Sequence, residues 1–247
     1  MRKDAFSNLY FFETLFMRLA LTVLISLIFL QHNIGQNEIE TSTSADSLYK
    51  EDQFYFGITY NLLTNMPNGM SQNGFSSGFH FGFIKDMPIN KNRNWALGLG
   101  LGYSTNSINQ NLLISKDQQG SFNYELLGSS QFIKNKLSRH LFEVPFELRW
   151  RTSTPDNYKF WRIYTGFKLG YVFASNAKHK GSSQSNKIAN IEDFDKLQYG
   201  LTLSIGYNTW NAYMYYGLNS IFKKAAILDG KPMDFRAVKV GLMFYVL

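Results

Sequence analysis

From Gln53 onward, apolar side chains recur at every second position, a spacing that an extended strand gathers onto one face. Phe54, Phe56, Ile58, Tyr60 and Leu62 form the first stripe, Phe75, Phe79, Phe81 and Phe83 the second, and Trp95, Leu97, Leu99, Leu101 and Tyr103 the third. Further stripes run over 142–150, 161–173, 197–207, 210–218 and 238–246, which makes eight. The intervening positions decide which way the apolar face points. They read Gly57, Thr59, Asn61; Ser76, Gly78, His80, Gly82; Gly98, Gly100, Gly102; Glu143, Glu147, Arg149; Arg162, Gly166, Lys168, Gly170; Gln198, Gly200, Thr202, Ser204, Gly206; and Lys239, Gly241. A water-soluble barrel hides its apolar face and solvates the other with many Lys and Glu. Here the second face is crowded with glycines and small hydroxyls around a few long charges, the composition of a tight interior. The apolar face then points outward, which lipid alone tolerates.

Stripe length agrees, since a tilted strand needs about nine to eleven residues to cross a bilayer. Aromatic residues sit at stripe ends (Trp95 and Tyr103, Phe142 and Trp150, Trp161 and Phe173), as in the girdles of outer-membrane barrels. The gaps alternate long and short: 63–73, 86–92, 105–138, 152–158, 175–194, 208–209 and 222–235. With a periplasmic start, this puts every long connection outside the cell and every short turn in the periplasm. At the shortest gap Tyr207 and Trp210 share the apolar parity across Asn208-Thr209, as a two-residue hairpin requires. The expected fold is all-β, an eight-stranded antiparallel transmembrane barrel of the outer membrane.

Before the stripes, Arg18 precedes a twelve-residue apolar run, 19–30, followed by polar His32-Asn33 and small Gly35. This reads as a signal peptide over 1–35, with Met17 offering a second start that gives a signal of ordinary length. Residues 36–52 read as a polar periplasmic segment and 53–247 as the barrel domain. The formal net charge is +7, and removing 1–35 takes away Arg2, Lys3, Arg18, Asp4 and Glu13 to leave +6. The basic residues are scattered, with no run or helical face suited to nucleic acid, so attraction to anionic lipid is a readier account of this charge and a merely solvated surface a readier one still. The chain has no Cys, which excludes disulfides, thiolate metal sites and a cysteine nucleophile.

The segments "GFIKDMPINKNRNWALGLGLGYS" (82–104) and "FEVPFELRWRTSTPDNYKFWRIYTGFKLGYVF" (142–173) resemble the PorT family of Bacteroidota outer-membrane barrels. The resemblance covers roughly 53–247 and is strongest in these two short-turn hairpins. It implies a component needed for protein export by the type IX secretion system, linked in gliding bacteria to surface motility, and it supplies no active-site residues. The final stripe also resembles the C-terminal strand read by the barrel-assembly machinery, departing in Leu247 where Phe or Trp is usual.

Candidate chemistry is sparse. "ALGLGLGY" (96–103) has its glycines at a strict spacing of two and Tyr103 where a dinucleotide loop needs its third glycine, so Gly98, Gly100 and Gly102 are expected to line the lumen instead. Glu143 and Glu147 share a face, yet four residues of strand separate their backbones by roughly 13 Å, beyond the ~5 to ~9.5 Å of a glycosidase pair. With Arg149, Arg162, Lys168 and Lys239 on the same parity, a lumenal network of balanced ion pairs is expected. A lipid-modifying enzyme with His80 or His140 as base is the catalytic alternative, but no Ser-His-Asp arrangement emerges from the spacing. About eight strands leave an interior that side chains fill, which disfavours a porin. The expectation is a barrel without catalytic, cofactor or metal site, working through outer-membrane lipid, lipopolysaccharide and other secretion-system envelope proteins; a stand-alone structural barrel or adhesin is the alternative. In the connection 105–138, Ile108, Leu112 and Ile114 leave two readings open, a hairpin rising above the membrane or a mobile surface loop that contacts nothing, whereas 176–195, with Lys178, Lys180 and Lys187, reads as a disordered, solvated loop.

Overall fold

The computed structural model describes residues 52–152, 160–182 and 185–246. The signal segment, the start at Met17, the segment 36–52 apart from Asp52, and Leu247 lie outside the described residues. Eight strands form the wall: β1 (Gln53–Thr64), β2 (Ser77–Pro88), β3 (Trp95–Asn109), β6 (Lys134–Arg151), β7 (Trp161–Lys180), β9 (Leu197–Tyr207), β10 (Trp210–Gly217) and β13 (Arg236–Val246). Each pairs antiparallel with the next, and β13 closes on β1 from Phe54↔Val246 to Thr64↔Arg236. Closure leaves no sheet edge in the wall, which a lipid-immersed backbone requires.

The alternation in the sequence becomes an outside and an inside. Along β1 the residues Phe54, Phe56 and Ile58 are more than half exposed, while Tyr55, Thr59 and Asn61 are buried. All four tryptophans of the chain, Trp95, Trp150, Trp161 and Trp210, belong to one rim, at the short-turn end. There Trp95 pairs with Trp150, and Trp161 and Trp210 each pair with Tyr207. Tyr103 and Phe142 pair eight residues away from Trp95 and Trp150, about 26 Å along the strand and about 20 Å along the membrane normal at a tilt of about 40°, most of the height of an apolar membrane band.

Short turns are built as their residues dictate. Asn208, the first residue of the two-residue hairpin, takes the left-handed region that Asn tolerates, with φ 55°. Between β2 and β3, the Trp95 amide donates to Asn90 Oδ1 at 3.1 Å and the Asn90 side chain bonds that of Asn94. The strand β2 runs on to Pro88, so the connection is shorter than the apolar stripe implies.

At the other end the wall rises unevenly. β6 and β7 have 18 and 20 residues, about twice what a membrane needs, so their upper halves stand clear of the hydrocarbon. Of the two readings of 105–138 the hairpin is the one present, in two parts: β3 continues to Asn109 and β6 begins at Lys134, while β4 (Leu112–Lys116) and β5 (Phe122–Leu126) form a separate hairpin. The expectation of a disordered 176–195 is overturned. β7 extends to Lys180 and β8 (Ser185–Ala189) pairs back on it from Asn176↔Ala189 to Lys180↔Ser185. The cause is a bulge: the β6–β7 register shifts between His140 and Leu141, leaving Phe173 as an extra residue, and above it the inward parity of β7 changes from even to odd, so Val172 and then Ser175 are buried. With β11 (Ile227–Leu228) and β12 (Lys231–Pro232), these elements make a crown with its own apolar core, including Phe194, Phe222 and Phe235. Phe222 holds the other two at ring distances of 4.6 and 5.2 Å.

Candidate functional site

The charged side chains on the inward parity meet in two layers. Nearer the short turns, Asp86 of β2 accepts two parallel bonds from Arg151 of β6, Nη1 to Oδ1 at 2.9 Å and Nη2 to Oδ2 at 2.8 Å, and a third from Arg149 Nη1 at 3.2 Å. Arg149 Nε donates to Glu147 Oε2 at 3.1 Å, and its guanidinium lies 4.5 Å from the Tyr164 ring centre. The side chains of Asp86, Arg149 and Arg151 have no solvent exposure.

The second layer is centred on Glu143, four residues along β6. Its carboxylate accepts from Ser104 Oγ at 2.7 Å and Lys168 Nζ at 3.0 Å, and Lys239 Nζ lies 3.8 Å away. His80 bridges Glu143, at 3.3 Å from Nδ1, and the Thr59 hydroxyl, at 3.1 Å from Nε2. Lys168 and Lys239 also lie over the rings of Tyr213 and Tyr215, at 5.1 and 4.8 Å. These contacts stabilise charges that would otherwise be costly to bury.

Register explains how such large groups fit. Glu147 pairs with Gly98 of β3 on one side and Gly166 of β7 on the other; Glu143 pairs with Gly102 and Gly170 in the same way. A Cβ on Gly98 would come within 2.8 Å of Arg149 Nε, and one on Gly102 would overlap the Tyr55 hydroxyl. At Gly100 it would meet the Phe83 carbonyl oxygen and come within 2.7 Å of Ile84 Cγ1. Gly98 and Gly102 therefore leave space for side chains, and Gly100 for a close approach of strand to strand.

Of the residues predicted from sequence, Glu143, Lys168 and Lys239 meet in one layer, and Glu147 and Arg149 in the other. Arg162 stands apart: it faces the lumen but rests on Phe160 at 4.4 Å, and among the described residues its Nε and Nη1 have no hydrogen-bond partner. Sequence reasoning missed Asp86, Arg139 and Arg151. Each continues the inward parity of its strand just beyond the apolar stripe, which is the signal that finds them. The charges also do not balance: Arg139, Arg149, Arg151, Arg162, Lys168 and Lys239 are buried against Asp86, Glu143 and Glu147. His140 faces outward, its Nδ1 2.7 Å from the Tyr103 hydroxyl, and His179 lies on the upper part of β7. Among the described residues no group of three or more His, Asp or Glu is placed to hold a metal ion.

The chain matches the family model of the outer membrane protein beta-barrel domain over residues 14–223. It belongs to that family. The barrel accordingly sits in the outer membrane, its exposed stripes against lipid, the crown outside the cell and the short turns in the periplasm. Among solved structures it is similar to Ail, the attachment invasion locus protein of Yersinia pestis, in complex with the heparin analogue sucrose octasulfate, at 12% identity over 81% of this chain and 100% of that one, with a TM-score of 0.34. A second structure of Ail matches at 12% identity over 80% of this chain and 100% of that one, with a TM-score of 0.30. No curated protein matches the chain.

Proposed function

We propose that this outer-membrane barrel is a non-enzymatic component of the type IX protein secretion apparatus that acts by contact with lipid, lipopolysaccharide and other envelope proteins. The observation that carries the reading is the filled lumen: ion pairs without solvent exposure lie in it, Lys239 of β13 reaches toward Glu143 of β6 from the opposite wall, and the cavity beside Glu143 measures about 10 Å³, room for one water. A barrel so plugged neither conducts solutes nor presents a reaction chamber, so its working surfaces are the crown, the wall and the periplasmic turns. The resemblance of 82–104 and 142–173 to the PorT family supplies the pathway, with surface motility as its consequence in gliding cells.

Deletion of the gene, followed by mass spectrometry of secreted and periplasmic proteins, tests the proposal. Export cargo should accumulate in the periplasm and return to the medium on complementation. Unchanged export sinks the secretion role and leaves a stand-alone structural barrel or adhesin, a reading that the tall β6–β7 wall and its crown also support. Altered lipid A in the deletion strain, reproduced by His80→Ala, would instead point to the lipid-modifying alternative. His80 is 3% exposed and points into the lumen, away from lipid, which weighs against it.

A further inference from the structure

The imbalance of buried charge is concentrated at one place. Arg139, Lys168 and Lys239 converge, with Gln198 and Tyr215, on the cavity of about 10 Å³, and Glu143 is the one carboxylate that lines it. Glu143 is already committed to Ser104, Lys168 and His80. Arg139 is 3% exposed, with Gln198 Oε1 at 3.3 Å from Nη1 and the Phe194 ring at 5.9 Å; among the described residues its Nε has no hydrogen-bond partner. Lys239 approaches Glu143 only to 3.8 Å. Arg139, Lys168 and Lys239 therefore face one carboxylate among buried side chains, and uncompensated buried charge costs several kcal/mol per ion. Water in the cavity could satisfy the Arg139 donor but would leave the charge unbalanced.

We infer that the cavity is a binding site for a monatomic anion, a halide such as chloride, held by Arg139 and Lys239 with Tyr215 beside them; Gln198 orients Arg139 through its Oε1, its own amide hydrogens being taken by the Asp195 and Ser220 carbonyls. A space of about 10 Å³ favours a single-atom ligand over sulfate, phosphate or a carboxylate. The weakly hydrated guanidinium of Arg139 suits a halide, and the Phe194 ring lies 5.9 Å from it on the side of the crown. The site has a structural role, since it removes the electrostatic penalty of the cationic side of the lumen.

The test is thermal unfolding of the full barrel in detergent at fixed ionic strength, with chloride exchanged for gluconate, followed by heat-modifiable gel migration. Above the dissociation constant, each tenfold rise in chloride should raise Tm by about 3 to 6 °C, the shift that mass action gives for a domain of this size. Bromide should substitute for chloride, and a bromide-soaked crystal should show anomalous density between Arg139 and Lys239. Arg139→Gln should abolish the halide dependence while sulfate and gluconate remain without effect. If that variant fails to fold, the bromide density and the wild-type chloride titration decide together. A Tm indifferent to halide overturns the inference, as does density for water alone; bromide in the crystal without stabilisation in solution marks an adventitious ion only and overturns it too.

Discussion

Replacing Asp86 by Asn removes one negative charge and almost no volume from the layer that ties β2 to β6. In the native barrel Asp86 accepts three charge-assisted bonds at 2.8, 2.9 and 3.2 Å in a site without solvent. The asparagine keeps one acceptor oxygen but turns an NH₂ group toward a guanidinium, donor against donor. Arg149 retains Glu147 and the Tyr164 ring, so the loss falls mainly on Arg151. Breaking a buried ion pair from one side typically costs 3–5 kcal/mol, and with Arg149 still held the expected loss is at the lower end, about 3 kcal/mol, more than a hundredfold in the unfolding equilibrium. Urea titration of the barrel in lipid vesicles measures it, with Trp95, Trp150, Trp161 and Trp210 at the periplasmic rim as reporters. The double variant Asp86→Leu with Arg151→Met removes both charges and should recover to within about 1 kcal/mol of wild type, because the desolvation cost disappears with the attraction. Asp86→Asn within about 0.5 kcal/mol of wild type would refute the claim that this layer is electrostatically tight.

Gly100→Ala should lower the folded fraction in heat-modifiable migration, and Gly100→Leu more so, because the added atoms meet the Phe83 carbonyl, which cannot yield; overpacking of this kind costs about 1–3 kcal/mol or more. Gly128→Ala, whose Cβ would lie 3.4 Å from Gln131 Oε1, is the control expected to fold normally. In the crown, the Tyr124 hydroxyl donates to Asp193 Oδ2 at 2.7 Å, and burial together with that carboxylate holds the phenol above its usual range. Tyr124→Phe should expose the β4–β5 hairpin to protease and cost about 1–2 kcal/mol locally, with the melting of the barrel wall unchanged. Because all four tryptophans belong to one rim, lipids brominated near the headgroup should quench their fluorescence more strongly than lipids brominated near the bilayer centre. Stronger quenching from the centre would displace the girdle from the interface.

Which face of each strand meets lipid was legible from the sequence, because lipid and a packed lumen make opposite demands on alternate residues and the demand repeats along every strand. Asp86 escaped because stripes are recognised by their outward members, and on β2 the outward residue Lys85 is charged, so the apolar run stops before the strand does. The upper part of β7 escaped because the bulge at Phe173 moves Ser175 to the inside, and a reading of fixed parity meets that change as the end of a strand.

Register was less hidden than it looked. Gly98 and Gly102, Glu143 and Glu147, and Gly166 and Gly170 are three inward pairs, each spaced by four residues. In three adjacent antiparallel strands such pairs can be superimposed, and the structure does so, seating each glutamate between two glycines. A bulky acid that must reach partners across a narrow lumen needs neighbours without side chains at its own level, so the shared spacing carries steric information about pairing. What it could not supply is the partner, because Asp86 reaches Arg151 over the intervening strand β3, and Lys239 approaches Glu143 across the barrel, neither along a ladder. The first depends on two successive registers, and the second on how far the strands are sheared on closing, a property of the whole ring that no single hairpin contains.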